Sequence, residues 1–314
     1  MGGAGGGAPR LPQDPRKMQE SIRDLQERSE SAEFRAKLNA LLAEMLARYN
    51  ARDVEAITEH MVTLVEAVAA ESSGATAHLG GSIEKNTYVE GRSDVDALLI
   101  LRDSDLAGKT PRQVLALVRR ALRQRLPNSD VTVGDLAVTV RFSDGHEVQL
   151  LPAFRSRGGG YRIPSTDGRS WTRIRPDRFT DALTRVNQAC GAKVVPTIKL
   201  AKAVNDGLPE NKRLTGYHIE ALAVEVFGSY AGPRRQLVPS AMLPHFLRRA
   251  ESLVRSPMPD VTGQSEHVDE YLGPAGSAKR QAVSRELLRL AKRMSNASAS
   301  EDLERWRALF GDSG

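Results

Sequence analysis

The chain lacks the usual marks of a secreted or membrane-embedded protein. It has a single cysteine, Cys190, so no internal disulfide framework is available to it. No apolar run reaches the 18 residues expected of a membrane-spanning helix, and no signal-peptide pattern occurs. These absences predict a soluble, cytoplasmic protein with no membrane partner. Internal repeats are missing as well, which argues against solenoids and propellers. What the chain does have is 40% hydrophobic content over 314 residues, enough for one large core or two smaller ones. A net charge of +6 suits an anionic ligand such as an NTP or a nucleic acid, but many basic proteins bind neither, so charge alone assigns nothing.

Residues 1–32 begin MGGAGGGAPRLPQDP, rich in Gly and Pro and without periodicity, which predicts a flexible N-terminal arm outside the fold. Between Glu33 and Glu71, apolar residues recur at helical spacing: Leu38, Leu41, Leu42, Met45 and Leu46, then Ile57, Met61, Leu64 and Val65. Two helices broken near Asn50 to Asp53 follow from that spacing. ATAHLGG reads as a short strand entering a glycine turn, and DVDALLIL as a strand. Thr110, Pro111 and Gln113 supply an N-cap, a first-turn proline and a capping-box glutamine for a helix to about Leu126. VTVGDLAVTVRF and HEVQLLPAF read as two more strands, joined through Ser143, Asp144 and Gly145 as a hairpin.

From about Asp177 onward the periodicity is helical, with segments near 177–205, 215–230, 239–255 and 277–311 and a connecting loop at 256–278. The expected organisation is therefore a mixed α/β lobe with its N-terminal helices over 33–176, then a helical lobe over 177–314. Arg155, Arg157, Arg162, Arg169, Arg173, Arg175 and Arg178 crowd the connection between them, with Asp167 and Asp177 as the acidic residues of the run. Such a run lines an anion-binding cleft, contacts nucleic acid or simply faces solvent.

The run that carries chemistry is Gly80-Gly81-Ser82-Ile83-Glu84-Lys85-Asn86-Thr87, followed by Gly91-Arg92-Ser93-Asp94-Val95-Asp96. Side chains two apart on a strand share a face, with Cα atoms about 6.5–7 Å apart, so Asp94 and Asp96 converge on one site. Carboxylate oxygens there suit Mg²⁺. In two-metal phosphoryl transfer, ions about 3.5–4 Å apart activate the attacking hydroxyl and neutralise the triphosphate. Upstream, the glycines let the backbone approach a phosphate, and Ser82 offers a hydroxyl and an N–H.

This Gly-Ser turn with S-D-x-D on the next strand resembles the signature of the DNA polymerase β-type nucleotidyltransferases. TIKLAKAVN followed by TGYHIEALAVEVF, and the closing ERWRALFGD, resemble the helical lobe of the CD-NTases, the bacterial relatives of cyclic GMP-AMP synthase and oligoadenylate synthases. The resemblance covers about Leu38 to Asp312. It implies an α+β fold: a polymerase β-like nucleotidyltransferase lobe with a mixed sheet, a helical lobe, and a cleft between them. It also implies Asp94 and Asp96 as catalytic residues and ligands of Mg²⁺ or Mn²⁺, with Gly81 and Ser82 at the nucleotide phosphates. Lys199 and Lys202, three apart on one helix face, would address the triphosphate, and Tyr217 would stack on the base. Gly216 stands where some relatives carry a phosphate-binding serine. Trp171 and His218 read as structural.

One departure matters most. The family places a third aspartate three residues before a proline on a later strand, where this chain has Gln149 before Pro152. A neutral amide cannot replace a carboxylate that promotes deprotonation of the attacking hydroxyl. Glu147, on the same strand face, is the candidate catalytic substitute, although its backbone lies nearly 7 Å away. The expected function is synthesis of a cyclic di- or oligonucleotide messenger from NTPs, as in antiphage signalling, with room for an activating protein or nucleic acid. Two rivals stand beside it: nucleotidyl transfer to tRNA or protein, and a catalytically impaired nucleotide sensor that retains the fold.

Overall fold

The computed structural model describes residues 14, 18–20, 32–51, 54–71, 74–89, 95–102, 106, 108–165 and 167–311. Most of the expected N-terminal arm, and Asp94 with the preceding Gly91–Ser93, lie outside the described residues.

The two expected N-terminal helices are present as α1 (Ala32–Tyr49) and α2 (Val54–Ala69), and they serve different cores. Helix α1 turns Phe34, Leu38, Leu41, Leu42 and Met45 into a core shared with the C-terminal helices. Helix α2 turns Ile57, Met61, Leu64 and Val68 onto the sheet. That sheet contains β1 (Ala75–Leu79), β2 (Val95–Leu101), β3 (Asp130–Val133), β4 (Val138–Arg141) and β5 (Glu147–Arg155) in the order β1-β2-β5-β4-β3. The β2–β5 pair is parallel and the other pairs antiparallel. A short helical turn, α3 (Gly81–Glu84), follows β1, and α4 (Pro111–Arg125) follows β2. The capping box of α4 forms as expected: Thr110 Oγ1 accepts from the Gln113 N–H at 3.4 Å, and Gln113 Oε1 accepts from the Thr110 N–H at 2.9 Å. Helices α2 and α4 cover one sheet face, burying Val95, Ala97, Leu99, Val138, Val140, Val148 and Leu150.

Two strand expectations are corrected. Residues 131–142, read as one strand, fold back at Gly134 to form β3 and β4, with the Gly134 N–H donating to Ala137 O at 2.9 Å. Gly134 and Asp135 interrupt the apolar alternation and supply the turn chemistry that the strand reading passed over. The arginine-rich connection also contains a hairpin, β6 (Tyr161–Pro164) and β7 (Trp171–Ile174), which extends the far end of β5. Its strands are four residues each, and their charged outer faces hide the period-2 pattern.

The second half is helical, with α5 (Pro176–Ala189), α6 (Val194–Asp206), α7 (Gly216–Phe227), α8 (Pro239–Leu253), α9 (Ala278–Ala299) and α10 (Leu303–Ala308). The expected helix over 177–205 is two helices, because Gly191 and Ala192 adopt φ of 61° and 60°. Asn187 Oδ1 then accepts from the Val194 and Val195 N–H groups, both at 3.1 Å, and starts α6. The last helix is likewise interrupted, at Glu301 (φ 49°), after which Asp302 caps α10. The 256–278 loop is pinned by a buried ion pair between Arg280 and Asp269 at 2.6 Å. The same guanidinium donates to the carbonyls of Val254, Ser256 and Gly273, so its charge and donors are satisfied inside the lobe. The molecule is thus a mixed α+β protein in which a central mixed sheet and a separate helical region face each other.

Candidate functional site: the cleft between sheet and helices

Side chains alternate across β2 and β5. Val95, Ala97, Val148 and Leu150 point into the helix-covered core, so Asp96 and Leu98 on β2, and Gln149 and Leu151 on β5, take the opposite face. Asp96 and Gln149 are register partners on adjacent parallel strands, which sets their backbones about 4.8 Å apart. Both line a cavity of about 560 Å³ together with Gly80, Gly81 and Ser82. Its far wall comes from α6 and α7, including Lys202, Asp206, Gly216, Tyr217 and Glu220.

The glycine turn fits the aspartate closely. Gly81 has φ of 54°, and a Cβ placed on it would lie 2.1 Å from Asp96 Oδ2, so both backbone and space demand glycine here. The Gly80 N–H donates to Asp96 O at 2.9 Å, locking turn to strand. Ser82 Oγ is buried at the cavity wall and has no hydrogen-bond partner among the described residues. A buried hydroxyl left without a partner is costly, and an acceptor-rich ligand in the cavity would satisfy it.

The two lysines diverge. Lys202 lines the cavity, donating to Glu220 Oε1 at 2.8 Å and to Thr87 O at 3.0 Å. Lys199 is buried and donates to Asn50 Oδ1 at the end of α1, away from the cavity lining. Sequence reasoning passed over Lys85 and Glu220. Glu220 is almost wholly buried on α7, where Lys85, Lys202 and the Thr87 hydroxyl converge on its carboxylate. Burial pushes that carboxyl up, but the Lys85 and Lys202 charges more than offset this and hold it below the usual range. The available signal was a glutamate inside the apolar run HIEALAV, since a buried carboxylate needs partners.

Tyr217 also lines the cavity. Its hydroxyl donates to Asp260 Oδ1 at 2.8 Å, and its ring meets Phe179 edge-on at 5.0 Å. Lys85 Nζ lies 5.3 Å from the Tyr217 ring centroid and 5.0 Å from that of Phe179. Burial, and then the bond to Asp260, raise the Tyr217 phenol above its ordinary value, so it remains neutral. Glu147 accepts from Arg141 at 2.6 and 3.0 Å, across the β4–β5 pair, and is not part of the cavity lining. His218 is fully buried against Tyr271 and Asp269, and Trp171 packs on Phe154. Two arginines of the connecting run are engaged locally: Arg173 with the Gly158 and Gly159 carbonyls, and Arg175 with Asp177.

Two lobes, a glycine-serine turn against a strand aspartate, and a cavity closed by a helical wall define the polymerase β-type nucleotidyltransferase fold. Residues 34–187 match the family model for the Second Messenger Oligonucleotide or Dinucleotide Synthetase domain. The chain is similar to the Bradyrhizobium diazoefficiens CD-NTase CdnG, solved in complex with GTP (17% identity, 88% of this chain and 96% of that one, TM-score 0.66). It is also similar to CdnC of E. coli MS115-1, solved with ATP (19% identity, 88% and 98%, TM-score 0.59). A third likeness is to the Vibrio cholerae cyclic AMP-GMP synthase DncV (13% identity, 96% and 92%, TM-score 0.61). No curated protein matches the chain significantly in sequence. These likenesses show that the chain has the fold of the CD-NTase/polymerase β-type nucleotidyltransferases.

Proposed function

We propose that this protein is a metal-dependent nucleotidyltransferase that joins NTPs into a cyclic di- or oligonucleotide messenger of the kind used in antiphage signalling. The observation that carries the reading is the cavity itself, where Asp96 and the unpartnered Ser82 hydroxyl face Lys202 and Tyr217 across a space of nucleotide size. The Asp96 carboxylate, with Asp94 two residues before it, is a hard-oxygen donor set that fits Mg²⁺ or Mn²⁺. When bound, such an ion would supply neutralisation of the triphosphate and of the departing pyrophosphate. Ser82 and the glycine turn hold a phosphate, and the Tyr217 ring offers a flat surface to the base. The acceptor is a ribose hydroxyl of a second nucleotide.

Gln149 favours a second reading. It occupies the strand position beside Asp96, facing the same cavity, and its amide has no basicity with which to take a proton from that hydroxyl. The Glu147 carboxylate is held by Arg141. On that ground the protein would bind nucleotide without turning it over. Transfer to a tRNA or protein acceptor uses the same scaffold.

Purified protein incubated with radiolabelled NTPs and Mg²⁺ or Mn²⁺ separates these readings. Small labelled cyclic products support the first, NTP binding with no product supports the second, and label on tRNA or protein supports the third. One relative, CdnC, has been solved in complex with HORMA-deltaN, so the assay includes an arm with a candidate activating protein or nucleic acid.

A further inference from the structure

On the opposite face of the sheet from Asp96, one cluster of side chains has no part in the cleft. His60 on α2, and Asp144 and His146 in the β4–β5 hairpin, place one ligand atom each within 4.8 Å of one another. His60 Nε2 lies 2.7 Å and His146 Nδ1 lies 3.2 Å from the same oxygen, Asp144 Oδ2. By strand parity His146 shares the side of Val148 and Leu150, the helix-covered face, whereas Gln149 takes the cleft face.

A hairpin of this sequence needs only part of that arrangement. Asp144 Oδ1 accepts from the His146 N–H at 3.0 Å and so closes the turn. The second carboxylate oxygen and both imidazoles are surplus to the turn. His146 Nδ1 is buried with no partner in hydrogen-bond alignment, despite its approach to Oδ2. The His60 ring is stacked on Phe142, with centroids 3.7 Å apart and an angle of 14°, which fixes the direction of its nitrogen. Half-exposed Asp144 leaves a path for an ion and for water.

We propose that His60 Nε2, His146 Nδ1 and Asp144 Oδ2 form a zinc site, distinct from the magnesium chemistry of the cleft. Two imidazoles and one carboxylate are the donor set that a borderline divalent ion prefers, and they leave a fourth position for water. Bonds of about 2.0–2.1 Å in tetrahedral geometry put ligand atoms roughly 3.3 Å apart. The present 2.7 and 3.2 Å separations lie within an ångström of that, and the two imidazole nitrogens lie within 4.8 Å of each other. Zinc takes the place of the proton between His60 and Asp144, which moves to the other ring nitrogen of a neutral imidazole or, from an imidazolium, to solvent. The bound ion ties α2 to the hairpin that leads into β5.

The full chain, stripped of metal with chelator, is titrated with Zn²⁺ against a chromophoric chelator, and with Co²⁺ as a spectroscopic probe. One equivalent of Zn²⁺ is expected to bind and to raise Tm, with a tetrahedral Co²⁺ spectrum. His60→Asn and His146→Asn should each weaken binding by at least about 100-fold, since disturbing only an outer partner of a metal ligand already costs up to that much, whereas Asp96→Asn leaves it intact. Absence of stoichiometric binding, or binding unchanged in both histidine variants, overturns the proposal. Should either variant fail to fold, anomalous scattering at the zinc edge from wild-type crystals decides: a peak at this cluster supports the site, and a peak only in the cleft overturns it.

Discussion

At the scale of single residues, the cleft hinges on Asp96 and the amide beside it. On the proposed function, Asp96→Asn keeps the shape but removes the charge where metal and triphosphate would meet, and with Asp94→Asn it should abolish metal-dependent NTP turnover. Retained turnover in the double variant, measured on labelled NTP, places the chemistry elsewhere. Gln149→Asp adds the missing carboxylate next to Asp96. Initial rates should rise while the NTP dissociation constant changes little, because the groups proposed to hold the triphosphate are untouched. Glu147→Gln, in contrast, should leave rates nearly unchanged, since Arg141 already occupies that carboxylate. A loss of about 100-fold, the scale of a catalytic acid–base group, would return Glu147 to the reaction.

At the scale of elements, Glu220 joins α7 to the segment after α3, through Lys85, Lys202 and Thr87. Glu220→Ala would leave the buried Lys202 and the partly buried Lys85 without their shared carboxylate, at a cost of about 3–5 kcal/mol in urea unfolding. A cost near zero would mean that water replaces the carboxylate without penalty. Between α7 and the 256–278 loop, burial lowers the His218 pKa to about 4, Asp269 opposing the shift and Arg280 adding to it. The unfolded histidine protonates near its ordinary value of about 6.5. Stability is therefore fully present above that pH and is lost as pH falls toward 4, by about 2 kcal/mol at pH 5. His218→Gln should flatten that part of the curve relative to wild type. The sequence disclosed those elements whose signals are local: the capping box before α4, the hairpin at Ser143 to Gly145, and the apolar run of β2. It concealed β6 and β7, whose pattern is only four residues deep. The α5–α6 break depends on two left-handed residues in a row, one of them alanine. The partners of Lys202 and Lys199 lie 18 and 149 positions away, and no spacing rule reaches them.

At the scale of the whole molecule, two cores meet at the cleft, one built on the sheet and one on the helices. A ligand spanning it contacts both and stabilises the native state by mass action. ATP with Mg²⁺ should raise Tm, and Asp96→Asn should remove the rise. The described charged side chains around the cavity are Glu84, Asp96, Asp206 and Glu220 against Lys85 and Lys202, four carboxylates to two ammonium groups. A protein of net charge +6 thus keeps an electronegative interior at its cleft. Bare triphosphate would be repelled there, so nucleotide should enter already carrying its counterion. ATP in EDTA should then leave Tm unmoved, and the cleft would act as a filter for cation-loaded nucleotide before any bond is made.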